Sequence, residues 1–215
     1  MLAIALSITL LAFIGLLSFS GDSTGWYLLA DPYLHGVLKF TLIQAGLSAL
    51  LSVALAWPLA LALQYLRHSL HKTLFLSLCI LCFVMPTLIL VTGLVILLSN
   101  RGLVGQWLGQ DWNVYGLSGI LIAHVYLNMP FATRTLYLRL ITIPDSRWKL
   151  AQQLKLTRWQ RFRILEWPAA QMATLLVFGF ILVLCFNSFA VVLALGGGPQ
   201  ATTLEVAIYQ ALKYD

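Results

Sequence analysis

The chain has 215 residues, of which 60% are hydrophobic and 9% charged, with a formal net charge of +6. A mean hydropathy of +0.90 excludes a single water-soluble core, because there is too little polar surface to cover so much apolar material. The alternating pattern of a β-barrel is missing, so the chain reads as all-α, a polytopic helical membrane protein in which helices satisfy the backbone groups that lipid cannot.

A spanning helix needs about 20 mostly apolar residues, and five segments qualify: 1–20, 36–66, 73–98, 115–137 and 168–195. The first, MLAIALSITLLAFIGLLSFS, has no charged n-region and a long apolar run, and further spans follow it. It therefore reads as an uncleaved helix rather than a secretory signal. Pro58, Pro86 and Pro130 fall inside the next three spans; each removes a backbone donor and predicts a kink. Cys79, Cys82 and Cys185 also lie within apolar spans. The Cys79-x-x-Cys82 spacing has no second ligand pair, so neither a metal nor any other cofactor is expected.

Positive charge fixes the expected orientation. Arg67 and Lys72 in the second loop, with Arg134, Arg139, Arg147, Lys149, Lys155, Arg158, Arg161 and Arg163 in or beside the fourth, make ten of the thirteen Lys and Arg. Those loops should face the cytoplasm, which places the N-terminus there too. The opposite loops carry Asp22, Asp31 and Asp111, with Trp26, Tyr27, Tyr33, Trp107, Trp112 and Tyr115 as interfacial anchors. Basicity is thus explained by topology and by attraction to an anionic bilayer, with no call for nucleic acid.

The fourth loop, PDSRWKLAQQLKLTRWQRFRILEWP from Pro144 to Pro168, has the composition of a soluble helical pair. Asp145 or Ser146 is placed to cap a first helix with Trp148, Ala151 and Leu154 on one face. Thr157 and Gln160 have capping-box spacing for a second, with Trp159, Phe162 and Leu165 as its stripe. The two should meet near Lys155 to Thr157. After the fifth span, Gly196 to Pro199 break the helix, and Thr202 or Thr203 is placed to cap a last one carrying Leu204, Ile208, Ala211 and Leu212 on one side.

Polar groups inside spans are costly in lipid and tend to face a bundle interior or an aqueous path. His124, Tyr126 and Asn128 precede Pro130, while Asn187 and Ser188 interrupt the fifth span. Pathway lining and plain interhelical hydrogen bonding both fit them, and both stay open. The spans, as bounded here, contain no Asp or Glu, and Ser188 is the one companion for His124 on paper. An intramembrane enzyme is not expected.

The loop from Lys149 to Pro168 resembles the coupling motif of permease subunits in binding-protein-dependent ABC importers. Ala151 matches its second Ala, Leu154 its Leu, Phe162 its aromatic and Pro168 its closing Pro; Lys149, Leu150 and Lys155 stand where that family has Glu, Ala and Gly. The segments LIAHVYLNMP and CFNSFAVVLALGGGPQATTLEVAIYQALKYD are most similar to permeases of thiamine-type importers, in their N-terminal half. The resemblance implies a transmembrane domain over 1–215, ending before the last helix of that half, with thiamine or its phosphates as cargo. The nearest alternatives are a ferric-iron-type permease and an inert truncated fragment.

The same resemblance implies partners: a cytoplasmic ABC ATPase dimer, a periplasmic substrate-binding protein and the remaining permease half. No Walker A pattern occurs in this chain, so the ATPase must be another polypeptide. Coupling to it falls to Trp148, Lys149, Ala151, Leu154, Lys155, Trp159, Phe162 and Pro168. The substrate path falls to His124, Asn128, Asn187, Ser188 and Phe189, with Trp57, Phe83 and Phe186 as further aromatic faces for a cationic cargo.

Overall fold

Small side chains recur along residues 45 to 60 at helical spacing, and this stripe decides how the bundle packs. A computed structural model describes residue 11 and residues 31–66, 70–99, 102–108, 113–196 and 201–214. The expected span 1–20 apart from Leu11, the loop residues Asp22, Trp26, Tyr27, Arg67, Arg101, Asp111 and Trp112, and the Gly197 to Pro199 breaker lie outside the described residues.

Helix α1 (Pro32–Tyr65) is followed by α2 (Leu70–Val84), α3 (Thr87–Leu98), the single turn α4 (Gly105–Leu108) and α5 (Leu117–Leu140). Then come α6 (Asp145–Gln153), α7 (Arg158–Arg161), a π-helical turn (Phe162–Glu166), α8 (Trp167–Phe186), α9 (Phe189–Leu195) and α10 (Leu204–Tyr214). Among the described residues there is no strand.

Helix α1 starts earlier than its apolar run, because Asp31 accepts a hydrogen bond from Tyr33 N–H at 2.8 Å and Pro32 opens the first turn. Its 34 residues make a rod of about 51 Å, longer than the hydrocarbon core. Ala45, Ala49, Val53, Ala56, Ala60 and Leu63 form a buried stripe against Ala132, Leu136 and Leu140 of α5 and Ala170, Ala173, Val177 and Ile181 of α8. Alanines on this seam let backbones approach closely, which is how helices associate where lipid competes for every apolar surface.

A second cluster closes the other end: Val91, Val114, Ile120, Ala123, Val191, Val192, Leu195 and Val206. There Gly116, at φ +105°, donates its N–H to the Leu195 carbonyl at 2.6 Å. Only glycine enters that backbone region without penalty.

Two expectations are corrected, and the interruption of the fifth span is located. Residues 73–98 do not form one straight span: α2 and α3 meet at Met85–Pro86 with a bend of 106°, because Pro86 has no N–H for the Cys82 carbonyl and its ring crowds that turn. The fifth span ends at Phe186 and restarts at Phe189, broken where Asn187 and Ser188 turn their side chains onto the Val183 and Cys185 carbonyls at 3.1 and 2.8 Å. Neither Asp145 nor Ser146 caps α6; Pro144 holds the N-cap position, and Asp145 sits in the first turn, where its charge suits the helix dipole.

Other elements fall close to expectation. Pro58 and Pro130, where kinks were expected, sit inside helices that run on without a break. Thr203 occupies the start of α10, its carbonyl accepting from Ala207, while Thr41 of α1 accepts from Leu204 N–H at 3.1 Å. Of the C-terminal stripe, Ile208 and Leu212 are exposed; Val206 is the residue α10 buries.

Replacing Ala49, fully buried in the seam, by Leu should destabilise the bundle by about 1–3 kcal/mol through overpacking. Thermal unfolding in detergent checks this, with Leu50→Ala, on an exposed position, as the control expected to change little.

Candidate functional site

The helical pair after α5 is built by local chemistry. Leu156 N–H bonds to the Ala151 carbonyl and Lys155 N–H to the Gln152 carbonyl, both at 3.0 Å, which closes α6 in a Schellman motif. Lys155 takes the left-handed position at φ +50°, where a residue with a Cβ costs about 1–2 kcal/mol. The next helix starts on a capping box: Gln160 N–H bonds to Thr157 Oγ1 at 3.4 Å, and Gln160 Oε1 accepts from Thr157 N–H at 2.8 Å.

The second helix of the pair is not separate from the span that follows. Residues Arg158–Phe186 run as one 29-residue apolar helix, with a π turn at Phe162–Glu166 whose closing bond joins Trp167 N–H to the Phe162 carbonyl. Pro168 explains the widening. It offers no N–H to the Ile164 carbonyl and its ring crowds that carbonyl, so the ladder shifts by one residue.

This pair sits on the bundle through half of its apolar residues. Ala151 is buried and Trp148 packs on the main cluster, and the Trp148 ring meets Tyr65 edge-on at 6.4 Å. Phe162 meets Trp57 edge-on at 5.3 Å, and Trp167 stacks on Trp57 at 5.6 Å. Leu150, Leu154 and Trp159 remain exposed, as do Lys149 and Lys155. The single apolar face expected from sequence is therefore divided: Trp148, Ala151 and Phe162 face inward, Leu154 and Trp159 outward.

Glu166 was missed from sequence. It is only 2% exposed, and its Oε1 accepts a hydrogen bond from the Tyr65 hydroxyl at 2.8 Å. Leu61, Tyr65, Arg158, Trp159, Arg161, Phe162 and Glu166 surround a cleft of about 790 Å³. The available signal was a lone carboxylate two residues ahead of Pro168 in an apolar run, just outside the span boundary drawn from hydropathy. The same end of the molecule holds Lys72, with Nζ 4.7 Å from the Tyr137 ring, and Arg134, which donates to the Leu76 carbonyl at 3.4 Å.

Farther along the bundle a cavity of about 470 Å³ opens between the two helix breaks. His124, Asn128, Asn187, Ser188 and Phe189 all line it, joined by Cys82, Phe83, Met85 and Thr87. None of its lining residues carries a fixed charge. Much of the polar capacity is turned inward: His124 Nδ1 lies 3.1 Å from Ser48 Oγ, and Asn128 Nδ2 donates to the His124 carbonyl at 2.8 Å. The partner of His124 is thus Ser48 on α1, not Ser188. Gln44 Nε2 donates to the Cys185 carbonyl at 2.9 Å, so the interhelical role of these groups is directly visible.

Of the aromatic candidates, Phe83 and Phe189 reach the cavity, while Trp57 belongs to the cluster under the helical pair and Phe186 packs on the main core. Among the described residues, no three His, Cys, Asp or Glu come together as a metal site.

A family model for the binding-protein-dependent transport system inner membrane component matches residues 52–215. The chain is 46% identical over 190 residues to the thiamine transport system permease protein ThiP of Escherichia coli K12, covering 86% of this chain and 35% of that protein. Against ThiP of Salmonella typhimurium LT2 it is 42% identical over 219 residues, covering 99% and 40%. It thus spans well under half the length of these relatives. A crystal structure of a bacterial ABC transporter involved in import of the acidic polysaccharide alginate aligns with a TM-score of 0.73 at 18% identity, over 90% of this chain and 72% of that one. At that identity the likeness bears on the fold alone.

Lys155→Gly should relieve the left-handed turn and raise stability by up to about 1 kcal/mol. The check is the thermal midpoint in detergent, with Lys149→Gly, in the interior of α6, expected to lower it.

Proposed function

We propose that this chain, which belongs to the binding-protein-dependent transport system inner membrane component family, forms part of the transmembrane pathway of an ABC importer for thiamine or its phosphates. As a member of that family with long apolar helices, it is a multi-pass inner-membrane protein. In the proposed orientation the N-terminus and the 144–168 pair face the cytoplasm, where Lys72, Arg134 and the loop cations cluster at one end of the bundle.

The observation that carries the reading is the divided face of the pair. A lever needs one side fixed to what it moves and another free for what drives it. Trp148, Ala151, Phe162 and Pro168 supply the fixed side through their contacts and the π turn. Leu154 and Trp159, 62% and 67% exposed, with Lys149 and Lys155 beside them, are left for a cytoplasmic ABC ATPase. Such a row of apolar anchors rimmed by charge has the make-up of an interface core.

On the other side, a periplasmic substrate-binding protein would deliver cargo to the outer end, where α9, α10 and the start of α5 close the bundle. A second set of permease helices would complete the path. The cavity between the helix breaks is the proposed waypoint, with His124, Asn128, Asn187, Ser188 and Phe189 as its wall. Its uncharged lining and the rings of Phe83 and Phe189 suit a flat organic cation. Ferric iron would call for a set of acidic or tyrosine oxygens, and none of the lining residues provides one.

Trp159→Ala and Leu154→Asp in the assembled transporter should each lower uptake of labelled thiamine into proteoliposomes by about tenfold or more, as loss of an interface anchor does, with less ATPase retained on purification. Uptake at the wild-type rate with the ATPase still bound would remove the coupling role.

A further inference from the structure

Tyr65, the last residue of α1, is held by three parts of the helical pair. Trp148 of α6 meets its ring edge-on at 6.4 Å, the Arg161 guanidinium of α7 lies 5.9 Å from the ring centre, and Glu166 of the π turn accepts its hydroxyl hydrogen bond at 2.8 Å. The aromatic contacts beneath the pair, Trp57 with Phe162 and Trp167, favour edge-on and stacked arrangements over a broad range of centroid separations and so define register less sharply than a hydrogen bond does. A hydrogen bond to a buried carboxylate is directional and strong. Burying Glu166 at all is expensive, and an apolar residue of similar volume would seat the turn as well or better. Stability therefore gives no reason for a carboxylate here; fixing the π turn against the end of α1 does.

We propose that Glu166 is the positioning residue that locks the coupling pair to the inner end of α1, so that displacement of the pair drives α1 as well as the covalently continuous α8. The inference rests on the importer reading above. It adds a force path: α1 carries the buried Thr41, Gln44, Ser48 and Ser52, and Ser48 contacts the cavity-lining His124. A pull on Tyr65 therefore reaches the cavity wall along one continuous helix.

The test is ATP hydrolysed per thiamine imported, measured in proteoliposomes with the ATPase and binding protein present, for wild type, Tyr65→Phe, Glu166→Gln, Glu166→Leu and the Tyr65→Phe/Glu166→Leu double variant. Tyr65→Phe keeps the ring and loses only the hydroxyl, and should raise the ratio about threefold to tenfold, the factor that the net contribution of one hydrogen bond commands. Glu166→Gln retains an accepting oxygen and should stay near wild type. Glu166→Leu should raise the ratio at least as much as Tyr65→Phe, and the double variant no further.

A wild-type ratio in Tyr65→Phe, or independent addition of the two losses, overturns the proposal. If Glu166→Leu fails to assemble, Tyr65→Phe and Glu166→Gln decide it alone. Absence of ATP-driven thiamine uptake by the wild type instead sinks the importer reading, and so is told apart from failure of the lock.

Discussion

The contact on which the rest depends is the one between the inner end of α1 and the helical pair, where Tyr65 bonds Glu166 and Trp57 lies against Phe162 and Trp167. Four rings and one carboxylate join elements about a hundred residues apart in sequence. Without that joint a displacement of the pair would reach α8, with which it is continuous, but not α1. With it, three long helices share one cluster of buried side chains against which Trp148 of the hairpin packs, and closely packed interiors transmit displacement rather than absorb it.

The joint works only because the rods above it are stiff and close. The alanine seam of α1 brings its backbone against α5 and α8, and beside it Ser48 bonds His124, Gln44 bonds the Cys185 carbonyl and Asn128 donates to Cys185 Sγ at 3.5 Å, which ties the helices in register. Rigidity stops at the breaks after Met85 and Phe186. Both open onto one cavity, so the irregular backbone lies where it lines a space rather than lipid, as a bilayer requires. Stiff rods below and broken helices above suit the proposed pathway, in which the inner end is driven and the middle changes shape.

Much of this was legible in the sequence, for physical reasons that can be named. Hydropathy and the cation distribution marked the helical membrane architecture. The turn at Lys155 to Thr157 was marked by Thr157 and Gln160, whose capping chemistry is local. Polar residues in apolar runs drew attention to His124, Asn128, Asn187 and Ser188, which the fold brings to one cavity. What stayed hidden depended on pairs far apart in the chain. A hydropathy window smooths over Pro86 and cannot tell a kink from a bend of 106°. Ser48 looks like any small residue until it faces His124, and Glu166 falls outside a span whose boundary is drawn at Pro168. The apolar face of the pair was seen as one surface, because periodicity reports which residues share a side and not which neighbour covers them.

The central claim is that the pair and the inner end of α1 move as one body. Spin labels at Gln152 and Leu66, both exposed, allow the distance between them to be measured by double electron–electron resonance in the assembled transporter, with and without bound ATP. If the pair and the inner end of α1 move as one body, the Gln152–Leu66 distance is the same in the two states, while a label at Leu66 shifts relative to one at Tyr115 on the far end of the bundle. A Gln152–Leu66 distance that changes on ATP binding would contradict the claim.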